Sequence, residues 1–190
     1  MVRAGLLARR RIRTPQEREA AARDIADRAL AWGPLAQARC VAAYVSMGSE
    51  PGTAPLLAAL VARGIRVLVP VLQPDNDLSW AAYEGPQTLT RTSRGLEEPR
   101  GADLGRDAIG QAQVVLVPGL AVDGRGVRLG RGGGSYDRAL ARVGADACVA
   151  VLLYDDEVLD QVPSEPHDRR VTHALTARGV ALLRDPDQAG

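Results

Sequence analysis

The chain has 190 residues, 46% of them hydrophobic and 25% charged, with 24 basic residues against 23 acidic ones. That balance excludes a disordered, fibrous or membrane-spanning chain and gives no electrostatic ground for a nucleic-acid partner. No linker divides the length, so residues 1–190 are read as a single domain with one buried core.

Lysine is absent, so every basic side chain is an arginine, and any phosphate contact must use a planar guanidinium fork. Arg3, Arg9, Arg10, Arg11 and Arg13 precede the first acid, Glu17. They read as the solvated face of a short helix, with a nucleic-acid or phosphate patch as the sharper alternative. Thr14-Pro15-Gln16-Glu17 has a capping residue, a proline in the first turn and a glutamate three residues after the cap, which predicts a helix over 15–31. Gly33-Pro34 stops it. An apolar run over 40–46 predicts a strand. Thr53 is expected to cap a second helix through Arg63, with Gly64 in the left-handed position after it. Residues 65–71 and 78–83 read as strands, 84–101 as a polar loop, and 103–110 as a short helix. A strand over 114–117, a helix over 135–143 and a strand over 148–154 follow.

Continuous apolar strands alternating with helices predict an α/β fold, a three-layer α/β/α arrangement around a mainly parallel sheet. In such sheets ligands gather at the carboxyl ends of strands, here where the loops after 46, 71, 118 and 154 meet. Cys40 and Cys148 each open an apolar run and read as buried, reduced thiols. No apolar stretch is long enough to span a bilayer. The expected location is therefore the cytoplasm, with no membrane partner.

The segment RLGRGGGSYD, Arg128 to Asp137, carries most of the chemistry. Gly130, Gly132, Gly133 and Gly134 leave backbone amides unshielded, so several can turn toward one anion, and Arg128 and Arg131 can neutralise it. The spacing is neither that of a P-loop nor that of a dinucleotide-binding fingerprint. Without a ligand the same residues make an ordinary tight connection with solvated arginines. Asp137 could simply favour the start of the helix after the loop. Together with Asp168, in the rigid loop from Pro163, it could instead hold magnesium, which takes one or two carboxylates with phosphate oxygens and water. His167 and His173 lack the partners of a zinc site. Glu50, just past a strand end, is either a solvated loop charge or an acceptor for the N–H groups of a heterocycle.

Taken together, these segments resemble the 5-formyltetrahydrofolate cyclo-ligase family. Residues 115–140 are similar to its signature of a strand, PGLAFD, and RLG-x-G-x-G-x-YD. SMGSEPGT is similar to its S-x-x-x-E-x-x-T loop, GLEEP (95–99) to its GI-x-EP turn, and VPSEPHD to its P-x-E-x-HD loop, in collinear order. The resemblance implies ATP- and magnesium-dependent closure of 5-formyltetrahydrofolate to 5,10-methenyltetrahydrofolate; separately, a monomer is expected. By that analogy Arg3 and the run Arg128, Leu129, Gly130, Arg131, Gly132, Gly133, Gly134, Ser135 and Tyr136 surround ATP, with Arg131 and Tyr136 closest to catalysis. Val45 and Glu50 line the folate side, and Asp137 and Asp168 hold Mg2+. The chain departs from the pattern at its N-terminus, which lacks the family's lysine ahead of Arg3. It departs also at Gly52 and Thr172, where the family has acids, and at Val122 and Ser135, where it has aromatics. Loss of those aromatics is expected to thin the walls that stack on a ring. A non-catalytic folate- or nucleotide-binding paralogue, and a phosphate-sugar isomerase or acyl-transfer relative on a similar sheet, are the alternatives.

Overall fold

The computed structural model describes residues 2–93, 95–165 and 168–184. Helix α1 (Val2–Ile12) and helix α2 (Pro15–Ala31) open the chain, joined at Thr14, whose side chain accepts from the Glu17 amide at 3.2 Å while the Glu17 carboxylate accepts from the Thr14 amide at 2.7 Å. This reciprocal pair is the capping box expected from the sequence. Gly33-Pro34 does end α2 but also opens a four-residue helix, α3 (Gly33–Ala36).

Strand β1 (Cys40–Ala42) leads through a loop to α4 (Ala54–Ala62), then to β2 (Arg66–Leu72) and β3 (Leu78–Ala82). The segment read as loop between 84 and 101 contains a hairpin, β4 (Leu89–Arg91) with β5 (Glu97–Pro99). Such three-residue strands, rich in charge and proline, leave no periodic signal. The short helix before residue 114 is a 3₁₀ helix, Arg106–Gln111. After it come β6 (Val114–Pro118), β7 (Ala121–Asp123), β8 (Arg128–Leu129), α5 (Ser135–Leu140), β9 (Cys148–Leu152), β10 (Val158–Leu159), β11 (His173–Thr176) and β12 (Gly179–Leu182). Helix α5 is shorter than its apolar spacing suggested.

The main sheet has seven strands in the order β12-β11-β9-β6-β1-β2-β3, parallel from β11 to β2 with an antiparallel strand at each edge. Side chains along β6 alternate between two cores, as the period of a strand requires. Val114 and Leu116 join Ile25, Leu35, Leu56 and Leu60 under α2–α4, while Val115 and Val117 join Trp80, Ile109 and Leu140 under α5 and the 3₁₀ helix. The three-layer α/β/α reading is thus the observed fold. A third cluster packs Leu6 of α1 against Leu120, Val127, Leu129 and Val162 around a small sheet, β10-β7-β8.

From β1 the chain moves outward to β2 and β3, then returns to lay β6, β9 and β11 on the other side. The strand order therefore reverses between β1 and β6. The carboxyl ends of those two strands diverge into a crevice, the position where open α/β sheets bind ligands. Among the described residues no helix is long and apolar enough to cross a membrane, and Cys40 and Cys148 are free thiols.

Candidate active site

A cavity of about 890 Å³ occupies that crevice. Its walls include Tyr44, Val45, Met47 and Glu50 from the loop after β1, Leu72 and Leu78 from the β2–β3 hairpin, and Leu96, Glu97 and Glu98 around β5. Pro118 and Gly119 at the end of β6, the whole run Arg128 to Asp137, Pro163 to Glu165 with Asp168, and Val2 and Arg3 of α1 complete it. Every residue assigned to a site from the sequence therefore lies on one cavity. His167 lies outside the described residues.

The glycine loop is held in shape by its own backbone angles and by two arginines. Gly132 and Gly134 adopt φ angles of 98° and 66°, which side-chain-bearing residues rarely adopt, and so turn the backbone along the cavity wall. Arg3 Nε donates to the Gly130 carbonyl at 3.2 Å, and Arg138 Nη2 donates to the Asn76 carbonyl at 2.7 Å and to that of Gly133 at 3.3 Å. Arg138 had no site role in the sequence reading; a basic residue four positions after a glycine loop is too common to single out.

Arg128 is nearly buried, donating through Nη1 to the Pro118 carbonyl at 3.1 Å and through Nη2 to Asp137 Oδ1 at 3.1 Å. Asp137 Oδ1 also accepts from the amide of Arg169 at 3.2 Å, which brings the Asp168 segment against it. The Glu165 amide donates to Asp168 Oδ2 at 2.7 Å. Two carboxylates on the wall of a cavity that the glycine loop also lines suit a magnesium–phosphate pair, which needs few protein ligands. No group of three or more His, Cys, Asp or Glu side chains among the described residues could enclose a metal by itself.

Glu50 is nearly buried. Its Oε2 accepts from the Met47 amide at 2.9 Å, and its Oε1 lies 3.2 Å from Nη2 of the half-exposed Arg131. Burial pushes the carboxyl above its usual range, and the Met47 amide and the Arg131 and Arg10 guanidinium groups only partly offset this. Burial likewise drives the Tyr136 hydroxyl up, with the Glu50 charge acting in the same direction and Arg128 opposing. The phenol is thus protonated at neutral pH, able to donate a hydrogen bond and unsuited to act as a base.

Three sequence expectations are corrected here. Thr53 stands at the start of α4, but its side chain bonds to no helix amide. The arginines of α1 are not all solvated: Arg10 is fully buried, donating to Glu157 at 2.6 and 2.7 Å and to the Gly119 carbonyl at 2.6 Å. Val122 packs in the core and does not line the cavity, so of the two positions expected to thin a stacking wall only Ser135 faces it.

Residues 1–177 match the 5-formyltetrahydrofolate cyclo-ligase family. The chain is 49% identical over 152 residues to a 5-formyltetrahydrofolate cyclo-ligase of Mycolicibacterium smegmatis, covering 77% of this chain and 78% of that one. It is 35% identical over 177 residues to the enzyme of the same name from Escherichia coli K12, with 90% and 96% coverage. The solved structure of a 5,10-methenyltetrahydrofolate synthetase from Aquifex aeolicus superposes with a TM-score of 0.83 at 25% identity, over 97% of this chain and 92% of that one. An α/β crevice lined with amides, arginines and carboxylates, on a sequence matched over nearly its whole length, leads to one conclusion: the chain is an enzyme of the 5-formyltetrahydrofolate cyclo-ligase family.

Proposed function

We propose that this protein closes 5-formyltetrahydrofolate to 5,10-methenyltetrahydrofolate, consuming ATP and releasing ADP and phosphate. The observation that carries this reading is the meeting, in one cavity, of the arginine- and amide-rich 128–134 loop, two aspartates and the buried Glu50. The first two suit a polyphosphate. The last, among the apolar side chains of Val45, Met47, Leu72 and Leu78, suits a flat heterocycle with N–H donors.

The chemistry asks little of protein nucleophiles. The formyl carbon on N5 resists attack because the nitrogen donates into its carbonyl, so the oxygen must first become a leaving group. Transfer of the γ-phosphoryl group to that oxygen achieves this and releases ADP. N10 then attacks the carbon, its proton is lost, and the C–O bond breaks with departure of phosphate. Positioning and charge neutralisation suffice for both steps.

Arg131 and the amides of Gly132, Gly133 and Gly134 bind the transferring phosphates, and Arg3 holds the loop from the opposite side. Arg128, already engaged by Asp137 and Pro118, fixes the loop's base and the Tyr136 ring, which its guanidinium approaches at 5.9 Å. Tyr136 donates from its neutral phenol at the boundary of the two ligands. Asp137 and Asp168 would hold magnesium, which neutralises phosphate charge when bound. Glu50 and Val45 orient the pterin, and Glu50 must exchange Arg131 for the ligand's N–H groups. The reading includes action as a monomer in the cytoplasm, a reducing compartment that the free thiols fit.

The test is spectrophotometric. Purified protein with magnesium, ATP and 5-formyltetrahydrofolate is expected to generate methenyltetrahydrofolate absorbance and stoichiometric phosphate, and to do neither when ATP is omitted. Binding of both ligands without turnover would instead favour the non-catalytic reading.

A further inference from the structure

The loop that carries Glu50 is closed at its neck by hydrogen bonds that no part of the chemistry above uses. The Thr53 hydroxyl donates to the Tyr44 carbonyl at 2.8 Å and accepts from the Ser46 amide at 3.0 Å, while the Thr53 amide donates to Ser46 Oγ at 3.1 Å. Beyond this neck the Glu50 amide donates to the Met47 carbonyl at 3.1 Å, and the Met47 amide returns to Glu50 Oε2 at 2.9 Å. Thr53 is 2% exposed. Its place before the first residue of α4 is where a threonine ordinarily accepts from a helix amide, yet its side chain makes no such bond. The hydroxyl serves the loop instead of the helix. It takes up the Tyr44 carbonyl just beyond β1, after the last ladder bond from the Ala43 amide to Leu68.

From this geometry we propose that Thr53, with Ser46, is a positioning residue that sets the place of the Glu50 carboxylate and thereby the affinity for the pterin-bearing ligand. The proposal rests on the assignment of Glu50 to that ligand. The bonds converge on one frame: strand end, neck, turn and carboxylate are linked in series, and the nucleotide loop at 128–134 shares none of them. The two meet only where Glu50 Oε1 lies 3.2 Å from Arg131, so loss of the hydroxyl affects the pterin-bearing ligand far more than the nucleotide. A role confined to fold stability would weaken both alike.

The experiment compares wild type, Thr53→Val, which keeps the side-chain shape, and Thr53→Ser, which keeps the hydroxyl. For Thr53→Val the KM for 5-formyltetrahydrofolate is expected to rise about tenfold, the scale of one buried hydrogen bond, with the KM for Mg-ATP within about twofold. Thr53→Ser is expected to recover most of the loss. Amide hydrogen exchange at Met47 gives a reading independent of activity: it quickens in Thr53→Val and stays slow in Thr53→Ser. Unchanged Met47 exchange in Thr53→Val, or equal rises in both KM values that serine fails to rescue, overturns the proposal. A wild type that neither binds nor converts 5-formyltetrahydrofolate sinks the functional assignment instead, and the exchange measurement still decides whether the neck sets the Glu50 turn.

Discussion

Glu50 illustrates how a single side chain trades stability for binding. Its carboxyl is raised by burial, so the folded chain holds that proton more firmly than the unfolded chain does. The stability linked to this group is complete below the ordinary carboxylate pKa and is lost as pH rises through the folded value. Glu50→Gln carries no charge into the cavity. Its melting temperature relative to wild type is therefore expected to increase from acid toward neutral pH, while affinity for 5-formyltetrahydrofolate falls; thermal scans across that window test the sign. Asp137 is the partner of a buried arginine. Asp137→Asn is expected to abolish magnesium-dependent turnover and also to cost about 2 kcal/mol of stability, the scale of a charge-assisted hydrogen bond, measurable by urea unfolding. The sequence marked Asp137 as a candidate metal ligand. Its second duty to Arg128 could not be read there, because an ion pair nine residues apart across a loop has no periodicity.

At the scale of elements, the connections around the crevice are held by buried carboxylates. Asp123, at the end of β7, is fully buried and accepts from the amides of Arg125, Val127 and Val162 and from the Arg125 guanidinium. Burial pushes its carboxyl up, but these bonds outweigh that and hold it below the usual range. Asp123 therefore contributes stability above the ordinary carboxylate pKa that is lost as pH falls through the folded value. Asp123→Ala leaves the buried Val127 amide and the Val162 amide without this acceptor, and a loss of about 3 kcal/mol is expected on chemical denaturation. Val162 immediately precedes the Pro163–Asp168 loop, so the same variant is expected to weaken Mg-ATP. Thr53 makes the matching point for the loop after β1. Its spacing from Ser46 and Glu50 was visible in the sequence, and so was the start of α4, but sequence reasoning gave its hydroxyl to the helix because capping is the commoner local use. The decisive acceptor, the Tyr44 carbonyl, is available only because β1 ends there.

For the molecule as a whole, α1 closes the cavity by being fastened at a distance. Arg3 reaches the glycine loop, Leu6 enters the third core, and Arg10 pairs with Glu157 beyond β9 while its guanidinium and that of Arg13 lie 5.6 and 4.1 Å from the Tyr154 ring. Burial opposes the charge on Arg10, but the Glu157 carboxylate more than restores it. Glu157→Ala strands that charge, and a loss of about 4 kcal/mol is expected, with α1 amides exchanging faster in hydrogen-exchange experiments. The double change Arg10→Met with Glu157→Leu is expected to recover part of this, because no buried charge is stranded, while the Gly119 carbonyl and Tyr154 amide still lose their side-chain partners. By itself the sequence determined the parallel α/β core, the capping box at Thr14 and the crevice-lining glycine loop, since each is written in local periodicity or in short-range chemistry. Tertiary structure alone decided which arginines are buried, what Thr53 bonds to, and that Val122 faces the core. Those outcomes depend on partners brought together by strand order and crossover, from as far apart as Arg10 and Glu157, and no local pattern encodes them.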